Sequence, residues 1–325
     1  MLSPVAMHPQ ALSDRDRCGQ RRDRPLKAAE RHQLRKRSFD AAARLYDEFR
    51  PGYPEPLFDD LVELSGIPEG GRILEIGPGT GQATLPLARR GFSILGLELG
   101  ASMARVCRRN THEFPNVEIL NTAFEDWKPA ENGDCTAPLV PTVPRARSTQ
   151  ALLGTVPGFP QSLVADDPKT FDLALAATAF HWIPAKLAFT RCARALKPSG
   201  SLALLWNFVD IPDNKFYNGL RAIYRRLAPQ VHLSLPPELR IERQRKKIVS
   251  SGLFGPVTVR RYPWSSEYTA DRYIGLLKTM SDHAILASKV RRDVFRAIRG
   301  LIAENGGSFV RPVVAVLFLA PKRQR

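Results

Sequence analysis

Length, composition and charge exclude several classes of protein before any motif is considered. The 325 residues suffice for one large domain or two small ones, and 43% apolar with 25% charged residues is typical of a globular chain. No run of about 18 apolar residues predicts a membrane-spanning helix, and no secretory apolar segment opens the chain. The four cysteines show no C-x-x-C spacing, so we expect neither a metal site nor a disulfide framework, and we expect a cytoplasmic location.

The net charge of +16 is unevenly distributed along the chain. Residues 208–325 carry 22 basic and 9 acidic side chains, whereas residues 38–127 carry 8 basic and 14 acidic ones. Such asymmetry fits a nucleic acid, an anionic membrane or an acidic substrate as partner, or simply an arginine-rich surface.

Two segments interrupt the predicted fold. Residues 1–37 are basic and poor in large apolar side chains, which predicts a disordered N-terminal tail, with order beginning near Ser38. Residues 128–170 contain seven prolines and no clear periodicity, which predicts a flexible insertion. A single folded domain is therefore expected over residues 38–325.

Within that domain, apolar runs and helical periodicity alternate in chain order. Strands are predicted at residues 72–76, 92–97, 117–120, 171–176, 201–206, 257–259 and 313–319. Helices are predicted near residues 39–49, 57–64, 85–88, 101–110, 185–196, 216–227, 237–250, 270–280 and 288–303. The second helix is expected to carry Leu57, Leu61 and Leu64 on one face, and residues 197–200 are expected to form a turn. This alternation predicts an α/β fold with a mostly parallel sheet and helices on both faces.

The first predicted strand runs into the glycine loop Glu75-Ile76-Gly77-Pro78-Gly79-Thr80-Gly81. Glycine permits a tight turn and lets a ligand approach the backbone without a Cβ atom in the way. The spacing differs from the G-x-G-x-x-G dinucleotide fingerprint, and an acid precedes the first glycine. The loop therefore favours a phosphate-free, cationic ligand over a pyrophosphate.

A second acid, Glu98, ends the second predicted strand 23 residues after Glu75. An acid at this distance and position is the usual partner of ribose hydroxyls in such folds. A solvated acid at the start of a helix is the alternative interpretation.

These motifs resemble those of the class I S-adenosylmethionine-dependent methyltransferases. Three further motifs are similar to the small-molecule type 11 branch, which includes trans-aconitate methyltransferase-like enzymes: Tyr-x-x-x-Arg-Pro-x-Tyr-Pro at residues 46–54, Ala-Phe-His-Trp at residues 179–182, and Leu-Lys-Pro-Ser-Gly at residues 196–200. The resemblance implies a Rossmann-like, doubly wound sheet with an antiparallel last strand. It also implies a helical substrate lid within residues 208–310.

The resemblance also implies the site residues and the cofactor, S-adenosyl-L-methionine. Its expected contacts are Glu75, Gly77, Gly79, Gly81, Glu98, Phe124 and Glu125. Tyr46, Phe180 and Trp182 are expected to contact the acceptor, and His181 is the candidate catalytic base. For His181 a purely structural role in shaping the pocket is the alternative, and Phe124 could equally belong to the core.

Methyl transfer to a small molecule is the leading hypothesis, with O-methylation of a carboxylate-bearing acid as its specific form. An anionic acceptor is suggested because the predicted lid carries the excess of arginines. A nucleic-acid methyltransferase is one alternative, although neither an Asn-Pro-Pro-Tyr motif nor a nucleic-acid-binding module is present. A cofactor-binding scaffold without activity is the other.

Overall fold

The computed structural model describes residues 40–127, 170–231 and 235–324. The predicted tail at residues 1–37 and nearly all of the predicted insertion at residues 128–170 lie outside the described residues.

A seven-stranded sheet with the order β3-β2-β1-β4-β5-β7-β6 forms the centre of the fold. Its strands are β1 (Arg72–Ile76), β2 (Ser93–Glu98), β3 (Val117–Asn121), β4 (Phe171–Ala177), β5 (Leu196–Val209), β6 (Thr258–Thr269) and β7 (Ser308–Pro321). Strands β1 to β5 are parallel, and β7 lies antiparallel between β5 and β6. The predicted fold class, including the antiparallel last strand, is confirmed.

The parallel strands are buried on both faces, which explains their continuous apolar sequences. In β1, Ile73 pairs with Ile94 of β2 on one side and with Leu173 of β4 on the other. Side chains alternate between two core clusters, so Leu74 and Ile73 pack on opposite faces. The carboxyl ends of these strands therefore meet along one edge, where open α/β sheets bind ligands.

Ten α-helices surround this sheet in the described part of the chain. They are α1 (Ala43–Phe49), α2 (Glu55–Ser65), α3 (Thr84–Arg89), α4 (Ala101–Asn110), α5 (Ala185–Ala195), α6 (Lys215–Leu227), α7 (Pro237–Ser250), α8 (Ala270–Lys278), α9 (Ser281–Ala284) and α10 (Ser288–Glu304). In α2, Leu57, Phe58 and Leu61 are buried, whereas Leu64 is exposed. Leu64 lies in the last turn of this helix, and Phe58 supplies the third buried side chain.

Strands β6 and β7 are much longer than their apolar sequences predicted. Residues 261–267 alternate between exposed and half-buried positions, and Pro263 is tolerated because β6 pairs on one side only. The predicted turn at residues 197–200 lies within β5 as a bulge, since Phe171 pairs with Leu196 while Leu173 pairs with Ser201.

Helices α6, α8 and α10 share a third core cluster and lie within the segment predicted to form the lid. Helix α1 joins them through two contacts. Arg50 donates to the hydroxyl and the carbonyl of Thr279, and Phe49 packs on Gly275 of α8. No helix within the described ranges combines the length and apolar character that crossing a lipid bilayer requires.

The contact between Phe49 and Gly275 gives a first testable prediction. A Cβ atom on Gly275 would lie 2.6 Å from the Phe49 ring, so Gly275→Ala should destabilise the protein by about 1–3 kcal/mol. Gly300 of α10 has open space around it, so Gly300→Ala should stabilise by about 0.5–1 kcal/mol. Thermal unfolding should therefore show a lower melting temperature for Gly275→Ala and a higher one for Gly300→Ala than for the parent. Equal changes in melting temperature would contradict the packing of Phe49 on Gly275.

Candidate active site

A cavity of about 780 Å³ opens at the carboxyl edge of the sheet. The ends of β1, β2, β4 and β5 form its floor, while residues of α1, α7 and the segment around α9 form its walls. Of the predicted site residues, eight line this cavity: Tyr46, Gly77, Gly79, Glu98, Phe124, Glu125, His181 and Trp182.

The glycine loop after β1 requires glycine at Gly77. Its φ angle is +66°, and a Cβ atom there would lie 2.7 Å from the Cβ of Ala179. At Gly79, φ is +63° and the nearest side chain is that of Tyr46. Both positions combine left-handed backbone with a surface that faces the cavity, so a ligand can contact the main chain directly.

Glu98 joins the end of β2 to the glycine loop. Its carboxylate oxygens accept hydrogen bonds from the amide of Gly79 at 3.0 Å and from the amide of Gly100 at 2.8 Å. The side chain is only 9% exposed, and burial raises the pKa of this carboxyl against the lowering effect of both amides. A carboxylate offers about four lone-pair sites, so acceptor capacity remains on the cavity side.

Glu75 and Gly81 lie beneath the loop, outside the cavity lining. The Thr84 hydroxyl donates to Glu75 Oε2 at 2.7 Å, while Oε1 is buried without a hydrogen-bond partner among the described residues. Gly81 packs against Cys107 Sγ. Glu75 therefore supports the loop from below.

The loop after β3 contributes Phe124 and Glu125. Arg191 of α5 donates to the carbonyl oxygen of Phe124 at 2.7 Å, which fixes this loop against the sheet. Phe124 is buried, stacks on Trp127 and still reaches the cavity wall.

The end of β4 holds a strained residue. Thr178 has φ of +55°, although it is β-branched, and its hydroxyl shares a 2.7 Å hydrogen bond with that of Tyr53. Strained backbone of this kind concentrates at functional sites. His181 and Trp182 follow in a short 3₁₀ turn with ring centroids 4.8 Å apart, whereas Phe180 packs against Phe189 in the core and does not line the cavity.

Sequence reasoning missed five basic residues on the cavity wall. They are Arg50, Arg240, Arg243, Lys247 and Arg311. The α7 members recur at intervals of three and four residues, so helical periodicity could have placed them on one face. Arg311 left no comparable signal, because it lies on a strand beyond the predicted bounds.

These features test whether the site fits S-adenosylmethionine. A loop without Cβ atoms suits the amino-acid end, the buried acid suits two hydroxyls, and the aromatic Phe124 suits a flat base. The sheet order, the loop and Glu98 together define a class I methyltransferase site.

Comparison with known proteins leads to the same class. A family model described as a methyltransferase domain matches residues 46–244. The uncharacterized methyltransferase Rv3342 of Mycobacterium tuberculosis is 30% identical over 173 residues, which cover 53% of this chain and 53% of that protein. The uncharacterized methyltransferase-like C25B8.10 of Schizosaccharomyces pombe is 28% identical over 187 residues, 57% of either chain.

Among solved structures, a protein of Anaeromyxobacter dehalogenans provisionally named a type II methyltransferase shares the fold. It has a TM-score of 0.51 and 20% identity, and the match covers 84% of this chain and 97% of that one. The matches to the curated relatives span about half of those proteins' lengths.

The chain belongs to the methyltransferase domain family, because the family model matches more than half of it. Its fold is that of the class I methyltransferases, and family and fold together indicate S-adenosylmethionine as the cofactor.

Burial of Glu75 predicts a pH dependence of stability. Desolvation raises its pKa from an ordinary value of 4.5 to about 7, so this group's contribution to stability is complete below pH 4.5 and is lost as pH rises through 7. Glu75→Gln cannot ionise, so the variant should gain on the parent between pH 5 and 8, by at most about 3 kcal/mol. Both proteins are melted at each pH in this range, and taking the difference between their stabilities removes the effect of the titrating groups that they share. A difference that does not change with pH would refute the raised pKa of Glu75.

Proposed function

We propose that this enzyme transfers the methyl group of S-adenosylmethionine to a small molecule that carries a carboxylate. The observation that carries the proposal is the cationic stripe of α7, formed by Arg240, Arg243 and Lys247, which faces the cavity. None of the three has an acidic partner among the described residues.

The charges of α7 divide by face. On the outer face, Glu242 pairs with Arg245 at 2.9 Å and with Lys246 at 3.7 Å. Glu238 pairs with Arg261 of β6 at 2.9 Å. The acids of the helix thus neutralise its outer cations, and the cationic stripe is left to attract an anion.

Arg240 is the most confined member of the stripe. Its guanidinium lies over the ring of Phe208, 4.1 Å from the centroid, and burial lowers its pKa to about 10. A bound carboxylate would form paired hydrogen bonds with this guanidinium, and these would replace the interactions with water that are lost on burial. The amide of Gln244 lies one turn further along and also reaches the cavity.

Two acids on the cavity wall are held by main-chain amides rather than by these cations. Asp40 accepts from the amides of Ser102 and Met103, and Glu98 accepts from the glycine loop. Trp182, Trp206 and Phe208 supply apolar wall between the cofactor residues and α7. An acceptor with an apolar body and an anionic end fits this arrangement.

The remaining predicted roles form part of the same proposal. When bound, S-adenosylmethionine supplies an electrophilic methyl group on a cationic sulfur. Glu98 accepts from the ribose hydroxyls, Phe124 stacks on the adenine, and Tyr46 and Trp182 enclose the reacting end. Positioning of this kind can lower a barrier by about 7–11 kcal/mol. The type 11 small-molecule branch and a cytoplasmic location complete the proposal, the latter supported by the buried free thiols of Cys107 and Cys192.

His181 has a role that depends on the acceptor. An ionised carboxylate is itself the nucleophile and has no proton to lose, so His181 would then orient the acceptor through a hydrogen bond. A hydroxyl acceptor would require its neutral imidazole as the base.

An acceptor panel tests the proposal. Small carboxylic acids, their amides, neutral phenols, amines and a structured RNA are each incubated with the enzyme and S-adenosylmethionine bearing a labelled methyl group, at low and high salt. Turnover of acids alone supports the proposal. Label confined to phenols or amines contradicts the acceptor class, label in RNA supports a nucleic-acid methyltransferase, and cofactor binding without any transfer indicates a scaffold.

The assignment of Glu98 predicts a specific loss of cofactor affinity. Removing a charged acceptor costs about 1.5–3 kcal/mol, so Glu98→Gln should weaken binding of S-adenosylhomocysteine by about 10- to 100-fold in calorimetry. The matched change Glu118→Gln, at a partly buried position on β3 outside the cavity, should leave affinity unchanged. Equal affinities for the parent and Glu98→Gln would remove Glu98 from the site.

The cationic stripe predicts a matched pair of variants on one helix. Arg240→Met removes an unpaired cavity cation, so KM for acid acceptors should rise about 10- to 100-fold. Arg245→Met removes a paired cation on the outer face and should leave KM unchanged. Similar KM values for both variants would show that α7 does not bind the acceptor's anion.

A further inference from the structure

Arg311 is a buried cation at the start of β7 that the proposed roles leave unused. It lies beside Ser266 of β6 and two residues before Val313, which pairs with the last residue of β5. The side chain is 7% exposed and lines the large cavity together with a side pocket of about 70 Å³. Its guanidinium is thus enclosed by protein and open only to the ligand cavity.

No described residue forms an ion pair or a side-chain hydrogen bond with Arg311. Its nearest favourable contact is the ring of Tyr268, whose centroid lies 5.9 Å away. A cation at that distance from an aromatic ring recovers less than the effective penalty for burying a charge. The protein alone therefore leaves this charge uncompensated.

The neighbouring groups do not neutralise it. Burial raises the pKa of Tyr217, Tyr224 and Tyr273, so these phenols stay neutral beside the guanidinium. Asp282 also lines the cavity, and its Oδ1 atom lies 3.0 Å from Nδ1 of the His283 imidazole.

Arg311 and Arg240 reach the cavity from opposite faces of the sheet. Arg240 covers Phe208, which pairs with Val314, and both side chains pack with the cluster on the α7 side. Because side chains alternate along a strand, Arg311 points to the other face, where the side pocket is also lined by Tyr46 and Arg50. The cavity therefore holds two separate cationic positions.

We infer that Arg311 binds a carboxylate of a molecule held in the cavity, as a second anion position distinct from the cationic stripe of α7. The carboxylate belongs either to the acceptor or to the amino-acid end of the cofactor. The glycine loop expected to hold the cofactor borders the same side pocket. The acceptor source rests on the proposed function, while the cofactor source rests on the family alone. A dicarboxylate acceptor would occupy both cationic positions.

Three variants test the inference: Arg311→Met, Arg311→Lys and the control Arg260→Met, an arginine on β6 whose side chain is half exposed and lies outside the cavity. Each protein is titrated calorimetrically with S-adenosylhomocysteine and with 5′-methylthioadenosine, which lacks the amino-acid end. The protein saturated with S-adenosylhomocysteine is then titrated with succinate and benzoate, and with their neutral amides.

A loss of at least 10-fold in affinity for S-adenosylhomocysteine, with methylthioadenosine unchanged, assigns the carboxylate to the cofactor. A similar loss for succinate or benzoate alone assigns it to the acceptor. In either case Arg311→Lys should recover part of the affinity, and Arg260→Met should match the parent. Arg311→Met should also raise the melting temperature of the unliganded protein, because an uncompensated charge has been removed.

Unchanged affinities for every probe in Arg311→Met would overturn the inference, and so would a fall in melting temperature. These measurements require no turnover. If no acid in the acceptor panel were methylated, the proposed function would be rejected. The inference that Arg311 binds a carboxylate would not be affected by that result, because its test measures binding alone.

Discussion

The hydrogen bonds accepted by Glu98 hold the cofactor side of this site together. One carboxylate binds the amide of Gly79 in the loop after β1 and the amide of Gly100 at the start of α4. The glycine loop, the end of β2 and the start of α4 are thereby fixed around one buried charge. Charge-assisted bonds of this kind are stronger than neutral ones, so they help to hold the left-handed Gly79 in place. The same carboxylate remains available at the cavity wall, so structure and binding depend on one side chain.

Charge is segregated across the cavity as a consequence. Glu98 at the end of β2 and Asp40 just before α1 accept from main-chain amides, and Glu75 of β1 accepts from the Thr84 hydroxyl beneath the loop. The unpaired cations lie on α7 and β7, across the ends of β4 and β5. A cationic methyl donor next to the acids and an anionic acceptor next to the arginines would face each other with complementary charge. This polarity agrees with the acidic balance of residues 38–127 and the basic balance of residues 208–325.

The sequence was sufficient to predict the parallel sheet, because β1 to β5 are buried on both faces and read as apolar runs. It was insufficient for β6, since an edge strand alternates between half-buried and exposed residues and includes Pro263. The glycine loop and Glu98 were predictable because their chemistry is local in sequence. The cationic positions were not, because Arg240 and Arg311 come together only through strand register and helix packing. Phe180 shows the converse, since its neighbours reach the cavity while its own ring turns into the core.

The charged forms of Arg240, Glu75 and Arg311 do not stabilise the fold. Burial lowers the pKa of Arg240 and raises that of Glu75, and both shifts mean that the surroundings disfavour the charged form. Arg311 is buried without a described partner, and apolar side chains of similar size would serve stability better at such a position. Stability therefore cannot explain why Arg240 and Arg311 line one cavity. A ligand whose charges oppose them can, since binding would return the interactions that folding removed.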